Sequence, residues 1–269
     1  MSKDIQITVV TTSYNWSKYI KNAIESVLNQ KFKYFEYIIV DDCSSDETFK
    51  ICKEFEQKDP RIKVVKNEKN IERSASRNKA INIANGKYIA FLDDDDIRCD
   101  GNKLKKQFEF LGKNPNYWLV GTNFTFVDDD YKETGKELVF RQSDKEIRNS
   151  FLKTNSFIFS TILARKDKIQ EVGWFDNTQF LAEDYELRLK IGKISKLHNL
   201  KDKCILYMDR TNNTSNNLKN KFKINLKWLM FCIKYHKYYP RFYINLLSKL
   251  MSLIVPAKVY ERKTKRMSD

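Results

Sequence analysis

"KYIAFLDDDDIR", residues 87–98, decides how this chain is read: an apolar run stops abruptly at four consecutive aspartates, Asp93 to Asp96. The run fits a buried strand. Four adjacent carboxylates repel one another, and packing gives no reason to place them at a strand end, so the cluster asks for a positive charge the local sequence does not encode. A solvated acidic loop is the bland alternative. The upstream sequence weighs against it. "IQITVVTT" (5–12), "FEYIIVD" (35–41), "RIKVVKN" (61–67) and "KYIAFLD" (87–93) read as strands. Between them "SKYIKNAIESVLNQ" (17–30), "SSDETFKICKEFEQ" (44–57) and "SASRNKAINIA" (74–84) read as helices, with Ser17 capping the first. Strand–helix alternation implies right-handed crossovers and an α/β fold with a mostly parallel central sheet flanked by helices. In such sheets ligands bind at the carboxyl ends of the strands. Three polar clusters fall there: "TTSYN", "DDCSSD" and "DDDD".

Beyond residue 100 the pattern predicts a helix over 102–111, strands over 117–127 and 157–165, and a helix starting in "AEDYELRLKI" (182–191), whose period is ambiguous. No low-complexity linker interrupts this half, so it continues the same domain. The last fifth differs. From Asn217 onward there are 13 Lys/Arg against Glu261 and Asp269, so +11 of the net +15 sits here. "FKINLKWLMFCIKY" (222–235) places Phe222, Leu226, Leu229, Met230 and Ile233 on one helical face, Pro240 breaks the chain, and 241–256 reads as a second apolar helix. Two helices packed on the core are one reading. Apolar faces among Lys, Arg, Trp and Tyr equally describe an interfacial helix on anionic lipid, and the concentrated charge favours that.

The five cysteines are scattered without a C-x-x-C pair, which disfavours a disulfide framework or a zinc site and fits a reducing compartment. "MSKDIQITVV" lacks the features of a secretory leader, and no run approaches the roughly 18–20 apolar residues of a membrane span. The expected location is cytoplasmic, peripheral on the inner face of the membrane.

Chemistry is expected at the strand ends. A hard divalent cation, Mn²⁺ or Mg²⁺, would neutralise the tetra-aspartate and leave positions for phosphate oxygens. "VDDCSSD" and "TTSYN" together offer a carboxylate acceptor and an aromatic face, the pair a nucleobase needs. Neither G-x-G-x-x-G nor the G-x-x-x-x-G-K-[ST] loop is present, so those nucleotide-binding readings fail.

In order, "VVTTSYN", "SVLNQ", "YIIVDDCSSD", "SASRNKAINIANGKYIAFLDDDD", "KLKKQ", "VGWFD" and "AEDYELRLK" resemble the family 2 glycosyltransferases, from about Ile5 to Arg210. The resemblance implies the GT-A fold over 1–217, with a nucleotide-binding half (1–100) and an acceptor-binding half (101–217), followed by a helical basic extension (218–269). It further implies inverting transfer of a sugar from a nucleotide diphosphate sugar, UDP by family analogy, to an acceptor hydroxyl. Carried over by position, Thr12 and Tyr14 would contact the nucleotide, and Asp42 would accept the base N–H with Asp41 supporting the loop. Arg77, followed by Asn78, would face the donor or hold the crevice together. Asp93 would open the D-x-D motif, Asp94 serve the ribose or the metal's water shell, and Asp95 bind the metal, while Asp96 caps the next segment. Asp184 would be the catalytic base, with Glu183 beside it. His198 is expected to be structural rather than a further metal ligand, and Arg210 resembles a late family arginine. Two positions depart from the pattern: Ile71, where a glycine is common, and Asp94, where a small residue is usual. The processive synthases' Q-x-x-R-W motif is missing, which favours single-sugar transfer to a glycan or lipid-linked acceptor. A sugar nucleotidyltransferase would need a glycine-rich first loop, and a nucleic-acid-binding protein would leave the carboxylates unexplained, so no nucleic-acid partner is expected.

Overall fold

Each residue of "FEYIIVD" is buried, Ile38 and Val40 on one face and Tyr37 and Ile39 on the other, as a strand covered on both sides requires. The computed structural model describes residues 4–177, 182–209 and 218–241, together with 243, 244, 246, 247 and 250. Its strands are β1 (Ile7–Ser13), β2 (Phe35–Asp41), β3 (Ile62–Lys66), β4 (Tyr88–Phe91), β5 (Ile97–Arg98), β6 (Tyr117–Val127), β7 (Leu163–Arg165) and β8 (Lys196–Met208). They form one sheet in the order β3-β2-β1-β4-β7-β6-β8-β5. β3, β2, β1 and β4 run parallel, as do β6 and β8, while β7 and β5 pair antiparallel with their neighbours.

Helices cover both faces. α1 (Ile20–Leu28), α2 (Thr48–Lys58) and α4 (Lys103–Lys113) pack over one core, built on Ile7, Val9, Tyr37 and Ile39. α3 (Glu72–Ile83), α5 (Asp144–Phe151), α6 (Lys166–Glu171), α7 (Glu183–Ile194) and α8 (Leu218–Tyr235) pack over the other. α1 buries Ile20, Ala23, Ile24 and Val27, the spacing of one helical face. Its cap is not Ser17: the helix begins after Tyr19 without a side-chain cap, and Ser17 instead donates its backbone N–H to Asp46 Oδ2.

The strand expected over 157–165 is broken. Phe159–Thr161 forms a 3₁₀ turn and only Leu163–Arg165 is strand. Side-chain chemistry overrides the β-rich composition there, since the Ser160 and Thr161 hydroxyls bond Asp96 and the Ile158 carbonyl. α7 explains the ambiguous period of its sequence. Tyr185, Leu187, Arg188, Leu189 and Ile191 are all buried, so the helix is enclosed nearly all round and no polar stripe marks its period.

α8 is part of the domain rather than a separate tail. Phe231, Cys232, Tyr235 and the following Tyr239 join the core, and Lys234 pairs with buried Glu186 at 2.6 Å. The predicted second tail helix lies largely outside the described residues. Among the described residues, no helix is long and apolar enough to cross a membrane.

Candidate active site

The loops after β1 and β2 are knitted into one wall. Asn15 (φ 58°) and Cys43 (φ 67°) take left-handed conformations, which Asn tolerates better than most residues. The Asn15 backbone N–H donates to Ser44 Oγ at 3.0 Å, and Asn15 Oδ1 accepts from the Ser45 N–H at 2.8 Å. Asp41 stands behind this wall, fully buried, with Oδ2 accepting from the Ser44 N–H at 3.1 Å. It shapes the turn and does not line the cavity. Asp42 does line it, beside Thr12 and the half-exposed ring of Tyr14. Asp42 Oδ1 accepts from Asn67 Nδ2 (2.8 Å) and the Ile71 N–H (3.0 Å), which fixes the carboxylate and ties α3 to this wall. The loop's left-handed residue is Glu72 (φ 70°), not Ile71 (φ −115°), so the conformational demand falls one position later than the family pattern places it.

The four aspartates separate by environment. Asp96 is buried and structural: its Oδ2 accepts from Ser160 and its Oδ1 from the Met208 N–H at 3.1 Å, pinning the acidic turn to the end of β8. Asp94, also buried, accepts from Ser13 Oγ at 2.6 Å. Burial and the neighbouring Asp95 and Asp93 charges push both the Asp94 and Asp96 pKa values well above the usual carboxylate range. Asp93 is also raised, by burial first, although Arg77 and Arg73 oppose the shift. Asp93, Asp94 and Asp95 line the cavity.

Arg77 closes the floor. Nearly fully buried, it donates to Glu183 Oε1 at 2.9 Å and Asp93 Oδ1 at 3.2 Å, with its guanidinium 3.8 Å above the Phe159 ring. It joins α3, the acidic turn and α7, and so holds the crevice together. Asn78 contributes to the same joint by donating to the Phe175 carbonyl at 2.8 Å. Glu183 is spent structurally as well, because its Oε2 accepts from the Ala182 N–H at 3.0 Å. Asp184 remains at the surface of the cavity, its side chain 28% exposed. Burial alone would raise its pKa, but Arg188, 2.9 Å from Oδ2, together with Arg77 and the Tyr185 N–H, brings it below the usual range.

These walls enclose a cavity of about 780 Å³, the size of a small-molecule site. Arg73, Ser13, Ile224 and Trp228 also line it, and no role was expected for them from the sequence. Trp228 stacks on Tyr185 at 4.4 Å and 12°, so α8 supplies part of the wall beside Asp184. His198 is not among the lining residues; it is sandwiched between Phe110 (4.5 Å, stacked) and Tyr117, and burial lowers its pKa. Arg210 lies outside the described residues.

Residues 8–173 match the model of glycosyl transferase family 2. The chain belongs to that family. An uncharacterized glycosyltransferase of Methanocaldococcus jannaschii is 37% identical over 186 residues, 68% of this chain and 63% of that one, so the match spans less than two thirds of that relative. A UDP-Glc:alpha-D-GlcNAc-diphosphoundecaprenol beta-1,3-glucosyltransferase of Escherichia coli is 30% identical over 69% of each chain. The fold also matches a mannosyltransferase of Pyrobaculum calidifontis solved with GDP-Man and Mn²⁺, at TM-score 0.68 and 14% identity, over 98% of this chain and 80% of that one. This family 2 glycosyltransferase therefore has the GT-A architecture that its alternating strands and helices point to. Its acidic strand-end cluster and an acidic helix start line one cavity, joined at its floor by Arg77.

Proposed function

We propose that this glycosyltransferase moves a single sugar, with inversion, from a UDP-hexose or UDP-N-acetylhexosamine to a hydroxyl of a cell-surface glycan or lipid-linked saccharide. One observation carries the reading: Asp184, the Asp93–Asp95 cluster and the Thr12, Tyr14 and Asp42 side chains all line a single cavity, with Arg77 linking the acidic turn to the start of α7. Base, sugar and acceptor can then lie in sequence. Tyr14 offers the base a face and Asp42 an acceptor, while Asp94 serves the ribose. The acceptor oxygen attacks the anomeric carbon as the bond to the diphosphate breaks, and Asp184 takes the hydroxyl proton. A weakly basic carboxylate suffices because the hydroxyl acidifies only in the transition state.

The residues fit a divalent cation. Among the described residues no three His, Cys, Asp or Glu side chains converge into a closed metal cage. Mg²⁺ and Mn²⁺ characteristically take one or two carboxylates and complete their shell with substrate phosphates and water. Asp95, assisted by Asp93, would hold such an ion, and the carboxylate repulsion that adds to burial in raising Asp94 and Asp96 is what it would relieve. When bound, the ion would stabilise the departing diphosphate as a Lewis acid. UDP is favoured over GDP because the relative that names UDP is 30% identical, whereas the likeness to the GDP-Man complex is one of fold alone.

The lipid-linked acceptor is supported by α8. Leu226, Met230 and Ile233 form an outward stripe beside Lys223, Lys227 and Lys234, while Trp228 on the same helix lines the cavity. Apolar burial and attraction to anionic lipid would add there, placing the enzyme on the inner face of the cytoplasmic membrane.

The test is a panel of nucleotide sugars with and without Mn²⁺, scored by thermal protection and by transfer, on the wild type and two variants. Asp184→Asn should keep donor binding and lose about 10²- to 10⁴-fold in transfer; an active variant would end the base assignment. Asp95→Asn should lose the metal-dependent part of donor protection. Replacing Leu226, Met230 and Ile233 by serine should weaken binding to vesicles rich in phosphatidylglycerol, and unchanged binding would remove the membrane reading.

A further inference from the structure

Arg73 and Arg77 stand one turn apart on α3, on the same side of the helix, but their surroundings differ. Arg77 is buried and both of its terminal nitrogens are committed, to Glu183 and Asp93. Arg73 is exposed on the cavity wall, and among the described residues it makes no hydrogen bond or close ion pair. Among the described residues, eight acidic side chains line this cavity against two basic ones, and one of those two is spent on the floor. Arg73 is therefore, among the described residues, the lining cation left for an anionic ligand. Enclosure by the cavity walls works against its charge, yet Glu183, Asp93, Asp184 and Asp94 more than compensate and hold its pKa above the usual value.

The position is specific. Ile71, two residues before Arg73, donates its N–H to Asp42 at 3.0 Å, so α3 starts beside the proposed base pocket. The charges facing Arg73 belong to the other end, where the sugar and its base would meet. Resting on the donor reading above, we propose that Arg73 is the positioning residue for the donor's diphosphate, its guanidinium fork bridging phosphate oxygens between the base and sugar subsites. Arginine suits this better than lysine because its planar donors can engage two oxygens at once. The two arginines thus divide the work: Arg77 builds the crevice and Arg73 reads what enters it.

Titration calorimetry of the full chain with uridine, UMP and UDP in the presence of Mg²⁺ tests this. Wild-type affinity should rise with each phosphate. Arg73→Ala should lower UDP affinity about 10- to 100-fold, the loss of charge-assisted hydrogen bonds, while uridine affinity and the thermal midpoint stay unchanged. Arg73→Lys should recover part of the loss. UDP binding undiminished in Arg73→Ala, or an equal loss for uridine and UDP, would overturn the assignment while leaving the donor reading intact. A wild-type chain that binds no UDP would overturn both.

Discussion

Replacing Arg77 by methionine separates a structural arginine from a ligand-reading one. The guanidinium makes two charged hydrogen bonds and lies on Phe159, with 3% of its side chain exposed, against 7% for Glu183 and 32% for Asp93. Among the described residues, removing it leaves Glu183 hydrogen-bonded only to the Ala182 N–H. Breaking a buried ion pair from one side costs about 3–5 kcal/mol. The Asp93 share is discounted because that carboxylate is a third exposed and water can screen it, so the lower part of the range applies, about 3–4 kcal/mol. Against a total stability of about 5–15 kcal/mol, the shift is large. Urea unfolding at fixed pH reads it as a lower midpoint with an unchanged slope. The double variant Arg77→Met, Glu183→Met should recover much of the loss, since an apolar pair can replace a buried ionic one. A cost below about 1 kcal/mol, combined with collapse of UDP binding, would refute the division of labour and return Arg77 to the donor.

Three further outcomes rest on the same geometry. The Asp184 pKa is depressed, so the proposed base stays ionised as pH falls until its low folded value is reached, and the stability its ion pair adds is full above the usual carboxylate pKa and lost as pH falls through the folded one; Arg188→Gln should move the acid limb of kcat/KM to higher pH, and an unmoved limb would mean Arg188 does not tune the proposed base. Glu72→Gly should relieve the left-handed backbone and leave the urea midpoint unchanged or raise stability by up to about 1 kcal/mol, whereas a clear loss would assign the Glu72 side chain a stabilising contact. Deleting residues 218–269 should abolish cooperative unfolding, because α8 contributes Phe231, Cys232 and Tyr235 to the core; a stably folded fragment would show α8 to be dispensable.

The amino-terminal half was readable because its signals are local. Each strand of the parallel set is a short apolar run, and residues at or just past its carboxyl end must emerge at the sheet's carboxyl edge, so chain order alone brings Thr12, Asp42 and Asp93 to one rim. What the sequence concealed is set by partners far along the chain. Arg77 is separated from Glu183 by 106 residues, and no periodicity in "SASRNKAINIA" distinguishes a guanidinium that closes a floor from one that binds phosphate. The same limit applies to Asp96, which looks identical to its three neighbours until Met208 and Ser160 claim both of its oxygens.

α8 shows the limit most clearly, because its composition carries two signals that point opposite ways. Leu226, Met230 and Ile233 share a stripe with flanking lysines, the pattern of an interfacial helix, and they are indeed exposed. Trp228, Phe231, Cys232 and Tyr235 form a second stripe at i, i+3, i+4 and i+7, and these residues face the domain. Reading the helix as all core or all outward misses that it carries one apolar stripe of each kind. On the proposed membrane reading the tail would take part in catalysis: a surface that docked on Leu226, Met230 and Ile233 would lie across one helix from Trp228 and Asp184. An acceptor anchored in that surface would then need to rise only about one helix diameter, roughly 10 Å, to present its hydroxyl to the base.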